Sequence, residues 1–95
     1  MSFSFNWDDD KNITNFKKHE VWFEEARTVW ADSRSCEFFD EVHSKSEDRF
    51  IRIGFSTKNR LLLVVFCERS SENVIRIISA RKATRAERDQ YEKGI

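Results

Sequence analysis

Apolar positions recur with helical spacing in the N-terminal third of this chain, and they alternate with polar positions beyond Cys36. The helical spacing is clearest where one face collects the apolar residues Trp22, Phe23, Ala26, Val29 and Trp30. This pattern predicts a helix over roughly residues 22–31. It also places Trp22 and Trp30 in the core.

A weaker helical pattern precedes it, over roughly residues 9–18. Its apolar face holds only Ile13 and Phe16. The run Asp8–Asp10 supplies a carboxylate that caps the helix and further negative charge for its positive end. Before the aspartates, the alternation in "FSFNW" (residues 3–7) predicts a short strand.

Beyond Cys36 the pattern predicts strands. The segment "CEFF" is compatible with a short strand, and three longer ones follow: "RFIRIGF" (residues 49–55), "LLLVVFC" (61–67) and "VIRIIS" (74–79). The middle one is apolar at both parities, which is typical of a central strand covered on both faces. Short polar turns join the three, so we expect an antiparallel meander.

A final helix is predicted over roughly residues 85–93, because Thr84 and Glu87 have the spacing of a capping box. Its only sizeable apolar residue is Tyr91, helped by Ala86. Burying Tyr91 would contribute about 2 kcal/mol at best. We therefore expect a helix that is either a loosely held, solvated terminus or covered by a partner.

Composition and charge narrow the function classes. At 95 residues the chain is one small domain, α+β in class, and its 17 basic and 17 acidic residues cancel. Any nucleic-acid site must therefore come from segregated charge. The cations gather where the last strand meets the last helix, since Glu87 is the only acidic residue between Arg76 and Arg88.

The remaining features predict an ordinary cytoplasmic protein without a membrane anchor. The longest apolar run, residues 61–67, is too short to span a bilayer, and the N-terminus does not resemble a signal peptide. Cys36 and Cys67 do not form a CxxC pair, so we expect two reduced thiols. No histidine or acidic cluster has ligand spacing, so we expect neither a metal site nor a cofactor.

Four segments together resemble the BrnT family of bacterial toxins: "FNWDDDKNITNFKKH", "FEEA", "EDRFIRIG" and "IRIISARKATRAERDQYE". The resemblance runs from Phe5 to Glu92, and its last segment is the most specific. It implies a RelE-like fold, in which two N-terminal helices pack on a small antiparallel sheet and a C-terminal helix follows.

The same resemblance implies a function and partners. BrnT proteins are ribonuclease toxins of type II toxin–antitoxin pairs, which cut RNA and inhibit translation. Their antitoxin, BrnA, is a small ribbon-helix-helix protein, and the complex binds operator DNA through it. Two positions depart from the family pattern: Glu20 stands where family members usually have Gly, and Trp22 where they tend to have Ser.

Metal-independent RNA cleavage needs proton transfer and a group that stabilises the pentacoordinate phosphate, and the arginine fork suits the second task. With the resemblance, the candidates for catalysis are Arg76, Arg81, His19 and Glu68. The candidates for RNA binding are Trp7, Lys11, Lys18, Arg49, Arg52, Arg69 and Lys82. The candidates for antitoxin binding are Arg85, Arg88 and Tyr91.

Several alternatives stay open at this point. Trp7 suits a core position as well as base stacking, and His19 and His43 are equally compatible with ordinary surface residues. The whole chain also suits a non-catalytic RNA- or DNA-binding module, or a protein-interaction subunit. An enzyme would cut RNA at substoichiometric amounts, a binding module would only retard it, and an interaction subunit would do neither.

Overall fold

A mixed five-stranded sheet forms the centre of the computed structural model, which describes residues 3–45, 47–69 and 73–94, with only the backbone of Arg69. In chain order the elements are β1 (Ser4–Asn6), α1 (Asp9–His19), α2 (Phe23–Ala26), a 3₁₀ helix (Arg27–Ala31), β2 (Cys36–Phe39), β3 (Arg49–Phe55), β4 (Leu61–Arg69), β5 (Val74–Lys82) and α3 (Arg85–Lys93). The strand order is β1-β5-β4-β3-β2. None of the helices within these ranges is long and apolar enough to cross a bilayer.

The predicted meander is confirmed, because β3, β4 and β5 pair in antiparallel succession and β4 is the middle strand. The expectation of a purely antiparallel sheet is wrong. The first strand pairs in parallel with the last, Ser4 opposite Val74. The parallel neighbours are connected through all the intervening elements, and local patterning carries no signal for such a distant pairing.

Two hydrophobic cores lie on opposite faces of β4, as its double apolar character predicts. Even-numbered residues of β4, such as Leu62 and Phe66, join the core that contains the α2 and 3₁₀-helix residues Phe23 and Val29. We call this face the helix side. Odd-numbered residues such as Leu63 face the other way, into a core with Ile53.

The last strand carries one extra residue. Phe66 of β4 pairs with Ile77, and Val65 pairs with Ser79, so Ile78 has no partner of its own in β4. Such a bulge shifts by one residue the alternation of the side chains that follow it. Ile77 and Ala80 accordingly both lie in the helix-side core although they are three positions apart.

Helix α1 covers the edge of β5 just beyond this bulge. The short β1 pairs with β5 only as far as Asn6 opposite Arg76. Farther along, the Nδ2 of Asn15 donates to the Ala80 carbonyl at 2.8 Å, and the Ala80 N–H donates to the Asn15 Oδ1 at 3.1 Å. The buried amide thus satisfies the backbone groups that another strand would have paired.

The predicted 22–31 helix is interrupted. One α-helical turn gives way to a 3₁₀ helix, and the hydroxyl of Thr28 donates to the Glu25 carbonyl at 2.6 Å, in competition with the next α-helical bond. The placement of Trp22 in the core is wrong: it is 37% exposed and stacks on Phe16, with ring centroids 4.2 Å apart. Trp30 does pack against the helix-side core.

Glu20 ends α1 in the left-handed conformation, with φ 58° and ψ 35°, and its N–H donates to the Phe16 carbonyl at 2.8 Å. Glycine adopts this conformation at less cost than a residue with a side chain. This fits the expectation, drawn from the resemblance, that Gly would suit this position. Trp22 is the other position that departs from the family pattern. It is the N-cap residue of α2, and its side chain makes no capping hydrogen bond.

Replacing Glu20 by Gly should stabilise the protein by about 1 kcal/mol, because the left-handed backbone would lose its steric penalty. For a domain of this size the melting temperature should rise by about 4–8 °C. Thermal and urea unfolding measure the change. The matched control is Lys17→Gly, at an exposed position inside the same helix, which should lower stability by a similar amount. A Glu20→Gly variant no more stable than the wild type would contradict this explanation.

Candidate active site

A cleft of about 360 Å³ opens on the sheet face opposite the helix side. Its floor is apolar and its rim is polar and charged, which suits a site that positions a charged substrate. The floor residues are Ile51, Leu63, Val65 and Ile78, and the rim residues are Asp40, His43, Arg49, Ser79, Arg81 and Glu87.

Helix α3 packs beside this cleft and is anchored in its own domain. Tyr91 is only 6% exposed, and its hydroxyl donates to the Asp32 Oδ2 at 2.7 Å. The same oxygen accepts the Phe55 N–H at 2.8 Å. Burial, with the hydrogen bond to Asp32, raises the pKa of Tyr91 to about 12. Tyr91 therefore holds α3 in place, and its burial leaves little of the side chain for the antitoxin contact predicted from the sequence.

The capping box that begins α3 is confirmed, and it also engages Arg81. The Thr84 hydroxyl accepts the Glu87 N–H at 3.2 Å, and the Glu87 Oε1 accepts the Thr84 N–H at 2.8 Å. Both Glu87 oxygens also accept from the Arg81 guanidinium, at 2.8 and 2.9 Å. These hydrogen bonds from Arg81 outweigh partial burial and lower the pKa of Glu87. Arg81 therefore has an acidic partner.

Arg76 and Arg49 form no ion pair with any residue that the structure describes. They share one row across the sheet, since both pair with Cys67 of β4. The Arg76 Nη1 donates to the neutral Asn6 Oδ1, at 3.2 Å. The Arg49 guanidinium makes no hydrogen bond or ion pair with any residue in the described ranges, and its Nε is buried without a partner. Both are suited to receive an anion.

The bulge places Arg76 and Arg81 on the same face. Five positions apart, they would lie on opposite faces of a regular strand. In this sheet they stand opposite Cys67 and Leu63, two odd-numbered residues of β4 that share the face of the cleft. Three arginines from two strands therefore project from one sheet surface.

A second groove, of about 270 Å³, runs between α1 and β5 and adjoins the cleft. Lys11, Lys18 and His19 line it, together with Ile78 and Ser79, which also line the cleft. The bulge is thus a shared wall between the two. Lys11 and Lys18 of α1 therefore lie on the same continuous surface as Arg81 of the cleft, although they are far from it in the sequence.

Three predicted site residues lie elsewhere, for identifiable reasons. Arg52 faces the helix side, where its guanidinium covers the Trp30 ring at 4.9 Å and donates to Ser35 and Glu37. Glu68 pairs with Ile75 of the helix-side core, so it is on the opposite face of the sheet from Arg76. Trp7 packs edge-on against Phe23, with ring centroids 6.0 Å apart, and is half-buried. Of the two alternatives, a core position rather than base stacking fits this packing.

The remaining candidates are on the outer surface. Lys82, Arg85 and Arg88 are exposed, and Arg88 lies over the Phe55 ring at 5.8 Å. The side chain of Arg69 is outside the described part of the chain.

Sequence reasoning missed a pair at the rim of the cleft. The His43 Nδ1 lies 3.0 Å from the Asp40 Oδ2. The available signal was the Asp-x-x-His spacing in "DEVH", which alone is too common to assign a role. In the described ranges, no group of three or more His, Cys, Asp or Glu side chains is arranged to hold a metal ion.

Comparison with known proteins decides the family. A family model described as ribonuclease toxin, BrnT, of type II toxin–antitoxin system matches residues 7–87, which is most of the chain. The chain belongs to the BrnT family. The fold of this BrnT-family chain is similar to that of the Brucella abortus ribonuclease toxin BrnT, known from a crystal structure at 1.1 Å resolution. The TM-score is 0.68 at 24% identity, covering 88% of this chain and 100% of the other. A search among curated proteins gave no match.

Membership of the BrnT family gives the two surfaces a context. A ribonuclease toxin of a type II system has RNA as its substrate and an antitoxin as its partner. The cleft and its adjoining groove carry cations beside an apolar floor, whereas the exposed side of α3 carries cations on a helix. This BrnT-family chain therefore has two separate basic surfaces, the cleft with its groove and the exposed side of α3.

Proposed function

We propose that this chain is a metal-independent endoribonuclease that cuts RNA in the cleft beside the β5 bulge, and so inhibits translation. The supporting observation is the gathering of Arg49, Arg76 and Arg81 on one sheet face, two of them without a charged partner among the described residues. Guanidinium groups stabilise the charge that develops on phosphate oxygens without needing a metal ion.

In this mechanism the RNA 2′-hydroxyl attacks the neighbouring phosphorus and the bond to the 5′-oxygen breaks. The products are a 2′,3′-cyclic phosphate and a 5′-hydroxyl. The arginines bind the non-bridging oxygens, on which negative charge increases in the transition state. Arg76 and Arg81 are the transition-state stabilisers of this proposal, and Arg49 binds the same stretch of backbone.

Arg81 retains donors for this task although it is paired. Its Nη1 and Nη2 donate to Glu87, and Nη1 also donates to the Lys82 carbonyl. Of the five N–H groups of a guanidinium, one on Nη2 and the one on Nε remain. They form a side edge of the fork, which suits two phosphate oxygens. Glu87 thus orients Arg81 and leaves two of its N–H groups available to bind a phosphate.

The adjoining groove extends the RNA-binding surface. Lys11 and Lys18 would bind phosphates of the strand beyond the cut, and their effect would weaken with salt. His19 lines this groove rather than the cleft. We expect His19 to contact the RNA backbone. Glu68 has no place in this mechanism, because it is on the other face of the sheet.

We infer that the partner is a BrnA-like ribbon-helix-helix antitoxin, through which the complex binds operator DNA. Its contact on the toxin would be the exposed cations Arg85 and Arg88, which form no ion pair among the described residues. An acidic segment of the antitoxin would complement the positive charge of this surface. We also propose that the fold is RelE-like and that the protein acts in the cytoplasm.

Metal independence has a direct test. The purified protein should cut RNA in EDTA as fast as in buffer with magnesium, because arginine N–H groups provide the electrostatic stabilisation. Gel mapping with and without phosphatase should show cyclic or 3′-phosphate ends. If EDTA abolished cleavage and magnesium restored it, the mechanism would be wrong.

Arg76→Ala and Arg81→Ala should each reduce the single-turnover cleavage rate about 100-fold or more, which is the scale of a lost charge-stabilising donor. Arg76→Ala should change the melting temperature by only about a few degrees, as expected for a half-exposed residue. Arg81→Ala should cost more stability, since it leaves Glu87 unpaired.

The matched control is Arg52→Ala, on the opposite face of the sheet. It should cut at the wild-type rate when RNA is saturating. Arginine variants that fold normally and cut at the wild-type rate would show that Arg76 and Arg81 are not part of the site.

Antitoxin binding should protect α3 from amide hydrogen exchange, because the expected contact includes its exposed cationic side. Arg85→Glu with Arg88→Glu should weaken the complex by at least about 10-fold, through the loss and reversal of rim charges. Lys17→Glu, on exposed α1, is the control. An antitoxin that inhibits cleavage while leaving exchange in α3 unchanged would disprove this interface.

A further inference from the structure

The pair at the rim of the cleft has the geometry of an oriented imidazole. The two oxygens of Asp40 lie 3.0 and 3.3 Å from the His43 Nδ1. The Asp40 side chain is 11% exposed, whereas that of His43 is 65% exposed. A carboxylate at Nδ1 selects the tautomer with the proton on that nitrogen, which leaves Nε2 free to exchange a proton.

Hydrogen bonds tie this pair to the sheet. The Asp40 N–H donates to the Arg49 carbonyl at 2.8 Å, directly after the last residue of β2. The Ser44 hydroxyl donates to the Asp40 carbonyl at 2.5 Å and accepts the Arg49 N–H at 2.9 Å. The loop that carries His43 is therefore closed on itself at its base, and Asp40 takes its position from β3.

Other charged groups line the same cleft as this pair. His43 and Asp40 line it together with Arg49, Arg81 and Glu87. Glu87 is neutralised by its two hydrogen bonds to Arg81, and Arg49 is unpaired among the described residues. A phosphate bound by Arg81 would thus have an imidazole on the rim of the same cleft.

We propose that His43 is the general acid of RNA cleavage and that Asp40 is the residue that positions it. The proposal rests on the proposed function and names the proton donor that the arginines do not supply, because a guanidinium does not lose its proton in this pH range. The imidazole of His19, the other histidine, makes no hydrogen bond in the described ranges and lines the neighbouring groove.

The chemical step is balanced as follows. The 2′-oxygen forms a bond to phosphorus as its proton passes to solvent water, and the bond between phosphorus and the 5′-oxygen breaks. His43 enters the step as the imidazolium, with both nitrogens protonated, and the departing 5′-oxygen takes the proton from its Nε2 while the Nδ1–H keeps its hydrogen bond to Asp40. Solvent then protonates Nε2 again, and no electron carrier takes part.

The test uses a leaving group that needs no acid. A short RNA is prepared with the 5′-oxygen at the mapped cleavage site replaced by sulfur, since a thiolate departs without protonation. His43→Asn keeps an N–H donor for Asp40 and removes Nε2. This variant should cut ordinary RNA at least about 100-fold more slowly than the wild type, within the range of a lost general acid. It should cut the sulfur-substituted RNA at nearly the wild-type rate.

Two further variants sharpen the result. Asp40→Asn should give a smaller loss on ordinary RNA that is likewise recovered with the sulfur substrate, as expected for a positioning residue. His19→Asn should show no such selective recovery. A His43→Asn variant that cuts ordinary RNA at the wild-type rate, or that is equally slow on both substrates, would overturn the assignment while leaving the ribonuclease function intact. A wild-type protein that cuts neither RNA would overturn both proposals.

Discussion

A single unpaired residue in β5, Ile78, determines which face of the sheet carries the charge. Without it Arg76 and Arg81 would project from opposite faces, and one of them would enter the helix-side core. An unpaired guanidinium buried there would cost several kcal/mol, a large part of the stability of a small domain. The same extra residue forms the wall between the cleft and the α1 groove. Bulges commonly re-aim side chains in this way near functional sites.

Polar contacts that are buried or half-buried fix the helices around this bulge. The Asn15 amide holds α1 against the backbone of Ala80, and the Asp32 carboxylate joins Tyr91 of α3 to the backbone of Phe55. Close packing of the 3₁₀ helix on β3 places Asp32: a Cβ on Gly54 would lie 2.8 Å from the Val29 Cγ1 and 2.7 Å from the Ser35 Cβ. Only glycine allows that approach. Polar groups that are buried and fully bonded favour one arrangement over alternatives.

Local patterns in the sequence predicted most elements, because β-strand alternation and helix capping act over a few residues. The range of β3 and the Thr84 capping box are as predicted. Long-range features carried no such signal. The pairing of β1 with β5, the extra residue at Ile78 and the burial of Tyr91 each depend on partners far along the chain. The predicted site residues therefore lie on both faces of the sheet. The sequence alone did not show that Glu68 and Arg52 are on the face opposite the cleft.

The central claim is that Arg49, Arg76 and Arg81 form one phosphate-binding surface because the bulge turns them to one face. It can be tested by following the arginine Nε–Hε resonances in NMR spectra during titration with a 2′-O-methyl RNA, which cannot be cut. The account predicts that these three resonances shift together on one binding isotherm while that of Arg52 stays unchanged. Shifts at Arg52 without shifts at Arg76 and Arg81, or separate isotherms for the latter two, would contradict it.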